Sequence, residues 1–302
     1  MHVFKYSLCV LIGACSYGIH SSIMKLGVRA GFNAKELVGG QYLFGWAFLL
    51  VATLLFSRKK VALKNLIALL GMGITVSATS VLYGLAVERL PASLAVVLLF
   101  QFTWMGIIIE AIIDRRSFSR EKMIAALFLL IGTVLAGGVI GGASTQVSII
   151  GVVCGVLSAC SFALYIFLNG KIATDVPALN KSLSMVTGAM ILVFTVFSPS
   201  TLYNGSLENG LWKYGILLGL LGILIPIVFF SIGVSKVGAG LGTILSAVEL
   251  PAAVIVSVLI LKEHVSSLQW IGIVLILIGI IVPQFGYYRK KDSMPIKKVS
   301  SF

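Results

Sequence analysis

The chain has 302 residues and a net charge of +13; 59% of its residues are hydrophobic, 11% are charged, and its mean hydropathy is +1.08. This composition excludes a soluble globular domain of average residue usage and indicates a polytopic membrane protein. The positive charge does not indicate a nucleic-acid partner, because the basic residues form short clusters between apolar runs, as they do in cytoplasmic loops.

Apolar runs of about 17 to 25 residues, bounded by charges or turn residues, predict ten transmembrane helices. The predicted spans are residues 3–24, 36–57, 65–87, 92–113, 122–141, 148–169, 181–198, 211–232, 238–261 and 268–287. The connections between them are short. The predicted fold class is therefore an all-α polytopic membrane protein without a separate soluble domain.

The distribution of lysine and arginine predicts the orientation of these spans. With ten spans, seventeen of these residues lie on the side of the N-terminus and six lie on the other side. The positive-inside rule therefore places both termini in the cytoplasm, together with a basic tail at residues 289–302. An odd number of spans would move the C-terminal basic cluster to the opposite side, which favours ten.

The chain contains an internal repeat. A shift of 145 residues aligns the beginnings of two halves, with the pairs Cys9 and Cys154, Cys15 and Cys160, and Tyr17 and Phe162. A shift of 147 residues aligns the later parts, with the pairs Ala92 and Ala239, and Leu98 and Leu245. The predicted domains are a five-helix repeat at residues 1–143 and a second at residues 144–288. Because five is odd, the second repeat is inverted in the membrane, which suits alternating access.

Motifs in both halves resemble those of a known family. They are Leu90-Pro91-Ala92-Ser93, Leu99-Phe100-Gln101-Phe102-Thr103-Trp104, Glu249-Leu250-Pro251, Leu261-Lys262-Glu263, and the pair Gly272 and Gly279. In this order and duplication, the chain resembles the EamA family of the drug/metabolite transporter superfamily. The resemblance implies a ten-helix carrier of the bacterial inner membrane, usually an exporter, with a central cavity between the halves. It leaves the substrate open among amino acids, nucleosides, drugs and other small solutes.

The first half departs from this pattern at three positions, one of which is Arg116 opposite Glu263. The 147-residue shift places Phe102 opposite Glu249 and Trp104 opposite Pro251. A role for the acid is therefore expected in one half only.

Glu249 is a candidate coupling residue because it is an acid in the middle of an uncharged apolar span. A charge there costs roughly 2.5 to 3.5 kcal/mol on insertion scales, so such a residue faces protein or water. In one interpretation, Glu249 binds a cationic group or exchanges a proton in a cavity that Ser246 also lines. In the other, this small-residue face is a packing seam, and Glu249 bonds to a neighbouring hydroxyl or amide. Pro251 predicts a kink and leaves the carbonyl of Ala247 without a donor.

Five further residues are candidates for solute contact: Gln101, Trp104, Tyr17, Tyr165 and Asn169. A hydrogen bond between helices is the alternative role for the Gln101 amide. His20 is either a proton-sensitive gate or a hydrogen-bonded histidine. Pro226, like Pro251, is a candidate helix break or hinge.

Other classes of protein lack support in the sequence. There is no Walker GxxxxGK[ST] motif and no HExxH motif, and the three histidines are dispersed. All four cysteines lie in apolar runs without a CxxC spacing, so no metal site or disulfide framework is indicated. The chain is therefore predicted to be neither an enzyme nor an ATP-driven pump, and no cofactor is expected.

The resulting hypothesis is a secondary transporter that exports a small metabolite, such as an amino acid, nucleoside, amine or drug-like solute, with or without proton coupling. Its expected partners are the solute, the lipid bilayer and, in the coupled case, protons. The sequence does not set the oligomeric state, and a homo-oligomer is compatible with it. The alternatives are an uptake permease for a similar solute and a membrane sensor or assembly protein that does not transport.

Overall fold

The computed structural model describes residues 2–57, 59–87, 89–90, 92–115, 120–136, 148–197, 203, 205–262 and 265–292. All regular secondary structure in these residues is helical, which confirms an all-α fold for this part of the chain. The helices are α1 (His2–Arg29), α2 (Ala34–Phe56), α3 (Leu63–Val87), α4 (Ala92–Leu99), α5 (Phe102–Ile113), α6 (Arg120–Ala136), α7 (Ile149–Lys171), α8 (Ala178–Phe197), α9 (Trp212–Gly219), α10 (Ile225–Val237), α11 (Ala239–Ser246), α12 (Glu249–Val256) and α13 (Ser267–Asp292). π-Helical turns occupy Leu207–Leu211, Leu220–Leu224 and Ser257–Leu261.

Eight helical segments of the described chain are long and apolar enough to cross a membrane. In contrast, α6 has 17 residues, and the apolar part of α13 is Ser267–Val282. Within the described residues these two stretches fall below the roughly 20 residues typical of a membrane-spanning helix, so they are not among the eight. A polytopic membrane protein is thus confirmed, whereas the count of ten spans stays a prediction.

The predicted boundary between the repeats, at residues 143 and 144, lies outside the described residues. So does most of the predicted basic tail, although α13 continues into it as far as Asp292. The predicted domain limits therefore stay predictions.

The contacts between helices follow a two-fold pattern. In the repeat, α1, α2 and α3 correspond to α7, α8 and the α9–α10 span. Helix α3 packs against α7 and α8, and the corresponding α10 and α9 pack against α1 and α2. Helices α2 and α8 correspond to each other and are in contact, and so do α6 and α13. Each of these two contacts therefore maps onto itself when the halves are exchanged. Exchanging the two halves therefore leaves these contacts unchanged.

Two of the ten predicted spans are interrupted at corresponding positions. The fourth span divides into α4 and α5 at Phe100 and Gln101, and the ninth divides into α11 and α12 at Ala247 and Val248. These breaks are 147 residues apart in the sequence. The backbone ψ angle is −16° at Gln101, −14° at Ala247 and −16° at Val248, close to the values of a 3₁₀ turn. Both breaks are therefore tightened turns within a continuous chain path.

In the ninth span, the break accompanies Pro251, which has no N–H to donate to the carbonyl of Ala247. The prediction that this carbonyl lacks a donor is wrong. The N–H of Leu250 donates to it at 3.3 Å, across one residue fewer than in an α-helix. The 3₁₀ turn thus satisfies an acceptor that the proline would otherwise leave free in the membrane.

The fourth span reaches the same geometry without a proline, because the residue corresponding to Pro251 is Trp104. Here the Thr103 hydroxyl donates to the carbonyl of Phe100 at 3.0 Å. The Gln101 side-chain amide donates to the carbonyl of the residue four positions earlier at 2.8 Å. Side-chain hydrogen bonds of this kind compete with helical backbone bonds and bend helices. Two different chemistries therefore produce equivalent breaks.

Pro226 interrupts the eighth span through the π-helical turn Leu220–Leu224. The N–H of Ile225 donates to the carbonyl of Leu220, five residues back. The carbonyl of Leu221 consequently loses the donor that it would have in an α-helix. The hydroxyl of Ser16, on α1, donates to this carbonyl at 2.7 Å. A side chain of the first half therefore completes the backbone hydrogen bonding of a broken span in the second half.

We expect Ser16→Ala to lower the stability of the protein by about 1 to 3 kcal/mol, because it leaves a buried carbonyl acceptor unsatisfied. Ser21→Ala is the matched control, since the Ser21 hydroxyl donates within its own helix to Gly18 at 2.7 Å. Thermal unfolding of both variants in the same detergent measures the difference. Equal melting temperatures for the two variants would contradict the role given to Ser16.

Candidate functional site

Aromatic rings from both halves meet inside the bundle. Tyr17 of α1 contacts Phe162 of α7 and Phe230 of α10, with ring centroids 6.2 and 5.8 Å apart. Phe162 also contacts Phe102 of α5 at 4.8 Å and Tyr165 at 5.9 Å. We call these five residues the aromatic cluster. Tyr17 and Phe162 are equivalent positions of the two repeats, so their contact lies where the related halves meet.

Glu249, the first residue of α12, lies beside the aromatic cluster. Its side chain is partly exposed. A Cβ atom on Gly18 would lie 2.7 Å from the carbonyl oxygen of Glu249, so α1 and α12 touch at this level. Within the described part of the chain, the Glu249 carboxylate has neither a hydrogen-bond partner nor an ion-pair partner. The partner that the packing interpretation requires is therefore absent from these residues.

The repeat allows the surroundings of Glu249 to be compared with those of Phe102. Phe102 packs edge to face against Phe162, with an interplanar angle of 89°. The carbonyl oxygen of Glu249 instead approaches α1 at Gly18, the residue that follows Tyr17. Exchanging the halves maps the pair Phe102 and Phe162 onto the pair Glu249 and Tyr17, so an aromatic contact in one half corresponds to an acid and a tyrosine in the other. The sequence difference between Glu249 and Phe102 therefore lies at equivalent positions of the two halves.

Ser246 is buried, and its hydroxyl donates to the carbonyl of Gly242 in its own helix at 2.8 Å. A Cβ atom on Gly242 would lie 3.1 Å from Val234 and 3.6 Å from Ile166. This part of the ninth span therefore packs α11 closely against α7 and α10. The packing interpretation fits Gly242 and Ser246, and the backbone of Glu249 is itself in close contact with α1 at Gly18.

Gln101 and Trp104 bond to each other. The indole N–H of Trp104 donates to the Gln101 carbonyl oxygen at 2.7 Å, and the Gln101 amide donates to Val97 at 2.8 Å. Both bonds lie within the fourth span, so Gln101 does not join two helices in the described structure. Both side chains are partly exposed, and the ring face of Trp104 keeps its capacity for apolar contact.

Asn169 lies at the end of α7, one turn from Tyr165. Its amide nitrogen donates to the Tyr165 hydroxyl at 3.3 Å, while its side-chain oxygen is buried and has no partner among the described residues. The backbone carbonyl of Asn169 accepts from the ammonium group of Lys181 at 2.7 Å. Lys181 also donates to Ser235 at 3.2 Å, and its exposed fraction is 1%. The ends of α7, α8 and α10 are therefore held together by a buried cation.

The sequence did not indicate that Lys181 joins helix ends. It was counted only among the basic residues that predict the orientation of the spans. Sequence reasoning also missed polar residues of α2 that reach other helices. Their bonds are Gln41 with His20 at 2.9 Å, Tyr42 with Ser80 at 3.3 Å, and Trp46 with Thr187 at 3.0 Å. His20 is thus hydrogen-bonded in the described structure, and its role as a gate stays a hypothesis. The available signal was the spacing of Tyr42 and Trp46, since residues four apart share a helical face.

A cavity of about 360 Å³ opens at one end of the bundle. It lies between the beginning of α2 and the ends of α3 and α8, and its lining includes Lys35, Val38, Ser80, Gly84, Arg89 and Phe197. The hydrogen bond between Ser80 and Tyr42 connects its wall to the interior of the bundle. Tyr83 directly precedes Gly84 in α3, so the cavity lies at the same end of α3 as this tyrosine.

Polar contacts join the two halves at the opposite end. The Lys171 ammonium group bonds both carboxylate oxygens of Asp114, at 2.8 and 2.7 Å. The Asn180 amide donates to the carbonyls of Ser57 and Lys59, at 3.3 and 2.8 Å. We call these five residues the polar closure. Each bond in it links a residue of the first half with one of the second.

Comparison with known proteins agrees with this architecture. The sequence model of the EamA-like transporter family matches residues 4–138 and again residues 149–283. A search of curated proteins finds no match. A solved structure described as "Crystal structure of protein" is similar, with a TM-score of 0.75 and 17% sequence identity, over 96% of this chain and 99% of that one. At this identity the likeness shows the fold alone. Because the family model matches both repeats, the chain belongs to the EamA-like transporter family of the drug/metabolite transporter superfamily.

Proposed function

We propose that the protein is a secondary transporter that moves a small solute across the bacterial inner membrane by alternating access. One observation carries the proposal: a cavity lies at one end of the bundle, the polar closure lies at the other, and Glu249 and the aromatic cluster belong to the middle parts of their spans. The helix contacts are unchanged by exchanging the halves. If the halves exchange conformations, the cavity closes and the opposite end opens.

In this proposal the bundle has ten spans arranged as two inverted five-helix repeats. Helices α6 and α13, which pack against each other, are the fifth and tenth spans. The distribution of basic residues supports cytoplasmic termini, and it then places the polar closure on the cytoplasmic side. The cavity faces outwards in this orientation. This state is the one from which an exporter releases its solute.

Glu249 is the proposed coupling residue. A carboxylate in the middle of a membrane is costly unless a proton or an opposite charge neutralises it. Since the described residues provide no such charge for Glu249, a proton or the solute neutralises it during transport. Tyr17, Tyr165, Asn169, Gln101 and Trp104 are the proposed surroundings of the solute. The breaks at Pro251 and Pro226 are the proposed hinges.

We expect Glu249→Gln to lower gradient-driven flux by about tenfold or more, the effect of losing one interaction with a charged group. Flux of an amino-acid, nucleoside and amine panel is measured in proteoliposomes with and without a pH gradient. Glu208→Gln is the matched control, because Glu208 is an exposed acid in the π-helical turn before α9.

The outcomes separate the alternatives. Full gradient-dependent flux in Glu249→Gln would assign this acid a structural role. Flux in the import direction only would favour an uptake permease. A wild-type protein that transports no member of the panel would favour a membrane sensor or assembly protein.

We expect Asp114→Lys to shift the protein away from the state with the open cavity, because it breaks the ion pair of the polar closure. An exposed ion pair contributes about 0.2 to 1 kcal/mol, which changes state populations about 1.4- to 5-fold. The reporter is Gly84→Cys in a background without the native cysteines, since Gly84 lines the cavity and has free space around it. Its labelling by a membrane-impermeant maleimide from outside slows in the variant.

The matched control is the double variant Asp114→Lys with Lys171→Asp, which restores the pair with its charges exchanged. Labelling returns towards the original rate if the ion pair holds the closure. Labelling that stays slow in the double variant would contradict this role.

A further inference from the structure

We propose that the cavity at the ends of α2, α3 and α8 binds the headgroup of an anionic phospholipid, with the lipid phosphate at Lys35 and Arg89 and the acyl chains in the surrounding bilayer. The site is separate from Glu249. From the proposed function the inference takes only the orientation, in which this end of the bundle faces outwards, and lipid binding here does not require that a solute is transported.

The first argument is the charge around the cavity. The cavity has a volume of about 360 Å³, and the charged residues in its described lining are Lys35 and Arg89. Lys35 lies in the first turn of α2, Arg89 lies two residues beyond the end of α3, and both are exposed. Two cations that border one cavity raise each other's energy, and an anion between them lowers it. The lining therefore favours a ligand with a negative charge.

Hydrogen bonds around these two cations agree with this role. The acid in the first turn of α2, Glu36, accepts from the backbone N–H of the N-cap residue at 3.0 Å and from the Ser206 hydroxyl, so it is engaged at the helix cap. The guanidinium group of Arg89 donates to the carbonyl of Leu85 at 3.0 Å, which holds it at the edge of the cavity. Guanidinium groups pair with phosphate through two parallel N–H bonds. Ala34, the first residue of α2, also lines the cavity, so the positive end of the helix dipole adds to the attraction.

The second argument is the side of the membrane on which these cations lie. In the proposed orientation, six of the 23 lysines and arginines lie outside and seventeen lie on the cytoplasmic side. Outer loops of membrane proteins are generally poor in these residues. Two of the six border this one cavity. Scarce cations that gather at one cavity favour a local binding function over a general effect of loop composition.

The third argument is that the cavity borders the lipid-facing surface. Apolar residues of its lining include Leu85, Val196 and Phe197, and Val196 is exposed. Leu85 lies on the same face of α3 as Ile67 and Ile74, because separations of 18 and 11 residues are close to five and three helical turns. Ile67 and Ile74 are exposed, and exposed apolar faces of spanning helices contact lipid chains. The cavity therefore adjoins lipid on two helices.

This combination of charge and apolar surface matches a phospholipid better than a soluble anion. A soluble anion uses only the two cations, whereas a phospholipid also uses the apolar residues beside them. The ends of spanning helices lie at the level of the lipid headgroups, and anionic headgroups attract lysine and arginine near the membrane surface. Because α2 and α3 belong to the first half and α8 to the second, a lipid bound here contacts both halves.

The test measures lipid binding to the purified full-length protein in a neutral detergent. The probes are anionic dioleoylphosphatidylglycerol, zwitterionic dioleoylphosphatidylcholine, and glycerophosphoglycerol, which is the soluble headgroup of the first lipid without its chains. Binding is measured from ligand-dependent thermal stabilisation, since a ligand that binds the folded state raises its apparent stability. We expect dioleoylphosphatidylglycerol to stabilise the protein more than either of the other probes.

We expect Lys35→Gln and Arg89→Gln each to lower the affinity for dioleoylphosphatidylglycerol about fivefold, the effect of one basic residue near an anionic lipid surface. If the two effects add, the double variant lowers it about 25-fold. The matched control is the double variant Lys213→Gln with Lys262→Gln. These two exposed cations lie on the same side of the membrane in the proposed orientation but outside the described lining of the cavity, so the control keeps the original affinity.

A further variant, Gly84→Leu, separates the cavity from the charges at its edge. Gly84 lines the cavity, and a Cβ atom there would meet nothing within 4 Å. The larger side chain therefore fills the cavity while both cations stay in place. We expect it to weaken binding of dioleoylphosphatidylglycerol. Thermal unfolding without lipid verifies that each variant is folded.

Three results would overturn the inference. Equal stabilisation by the two lipids, or an equal loss of affinity in the control variant, would assign the effect to the net charge of the protein. Binding of glycerophosphoglycerol as tight as that of the anionic lipid would assign the site to a soluble anion. Unchanged lipid affinity in Gly84→Leu would place the lipid outside the cavity.

These outcomes are distinct from failure of the proposed function. If the anionic lipid binds at the cavity and no solute is transported, the lipid site stands and the transport function falls. If a solute is transported and lipid affinity does not depend on Lys35 and Arg89, transport stands and the inference about the lipid falls.

Discussion

Inside a bilayer every backbone donor and acceptor needs a partner within the protein, and the three interrupted spans all meet this requirement. The carbonyl of Ala247 accepts from Leu250 through a tightened turn. The carbonyl of Leu221 accepts from Ser16 on another helix. These replacements allow spans eight and nine to bend beside the site without exposing backbone to lipid. The bends therefore belong to the stable structure and do not depend on local unfolding.

Glu249, like the side-chain oxygens of Asn169 and Ser22, has no hydrogen-bond partner among the described residues. His20, Gln101, Trp104 and Ser246 all satisfy their polar groups with protein atoms. Glu249 does not do so within the described residues, although its charge costs most to leave unpaired. A charged side chain that the described residues leave unsatisfied needs a proton or another partner to offset the cost of its charge in a membrane. This contrast supports a ligand role for Glu249 over a structural one.

Much of this architecture could be predicted from the sequence because apolar length, basic loops and the repeat are local or periodic signals. The asymmetry between Glu249 and Phe102 was visible for the same reason. The break in the fourth span was not, because its cause is a set of side-chain hydrogen bonds at Thr103 and Gln101. The burial of Lys181 was also hidden, since it depends on the ends of α7 and α10 meeting α8 in space.

The contact between the equivalent residues Tyr17 and Phe162 has a consequence for how a duplicated chain can evolve. Two identical halves would each place an acid at the position of Glu249, one on either side of that contact. Like charges in a low-dielectric interior raise each other's energy, so a symmetric ancestor would hold both only if one were neutral. In this chain Phe102 stands where a second acid would be, and it makes an aromatic contact with Phe162 there.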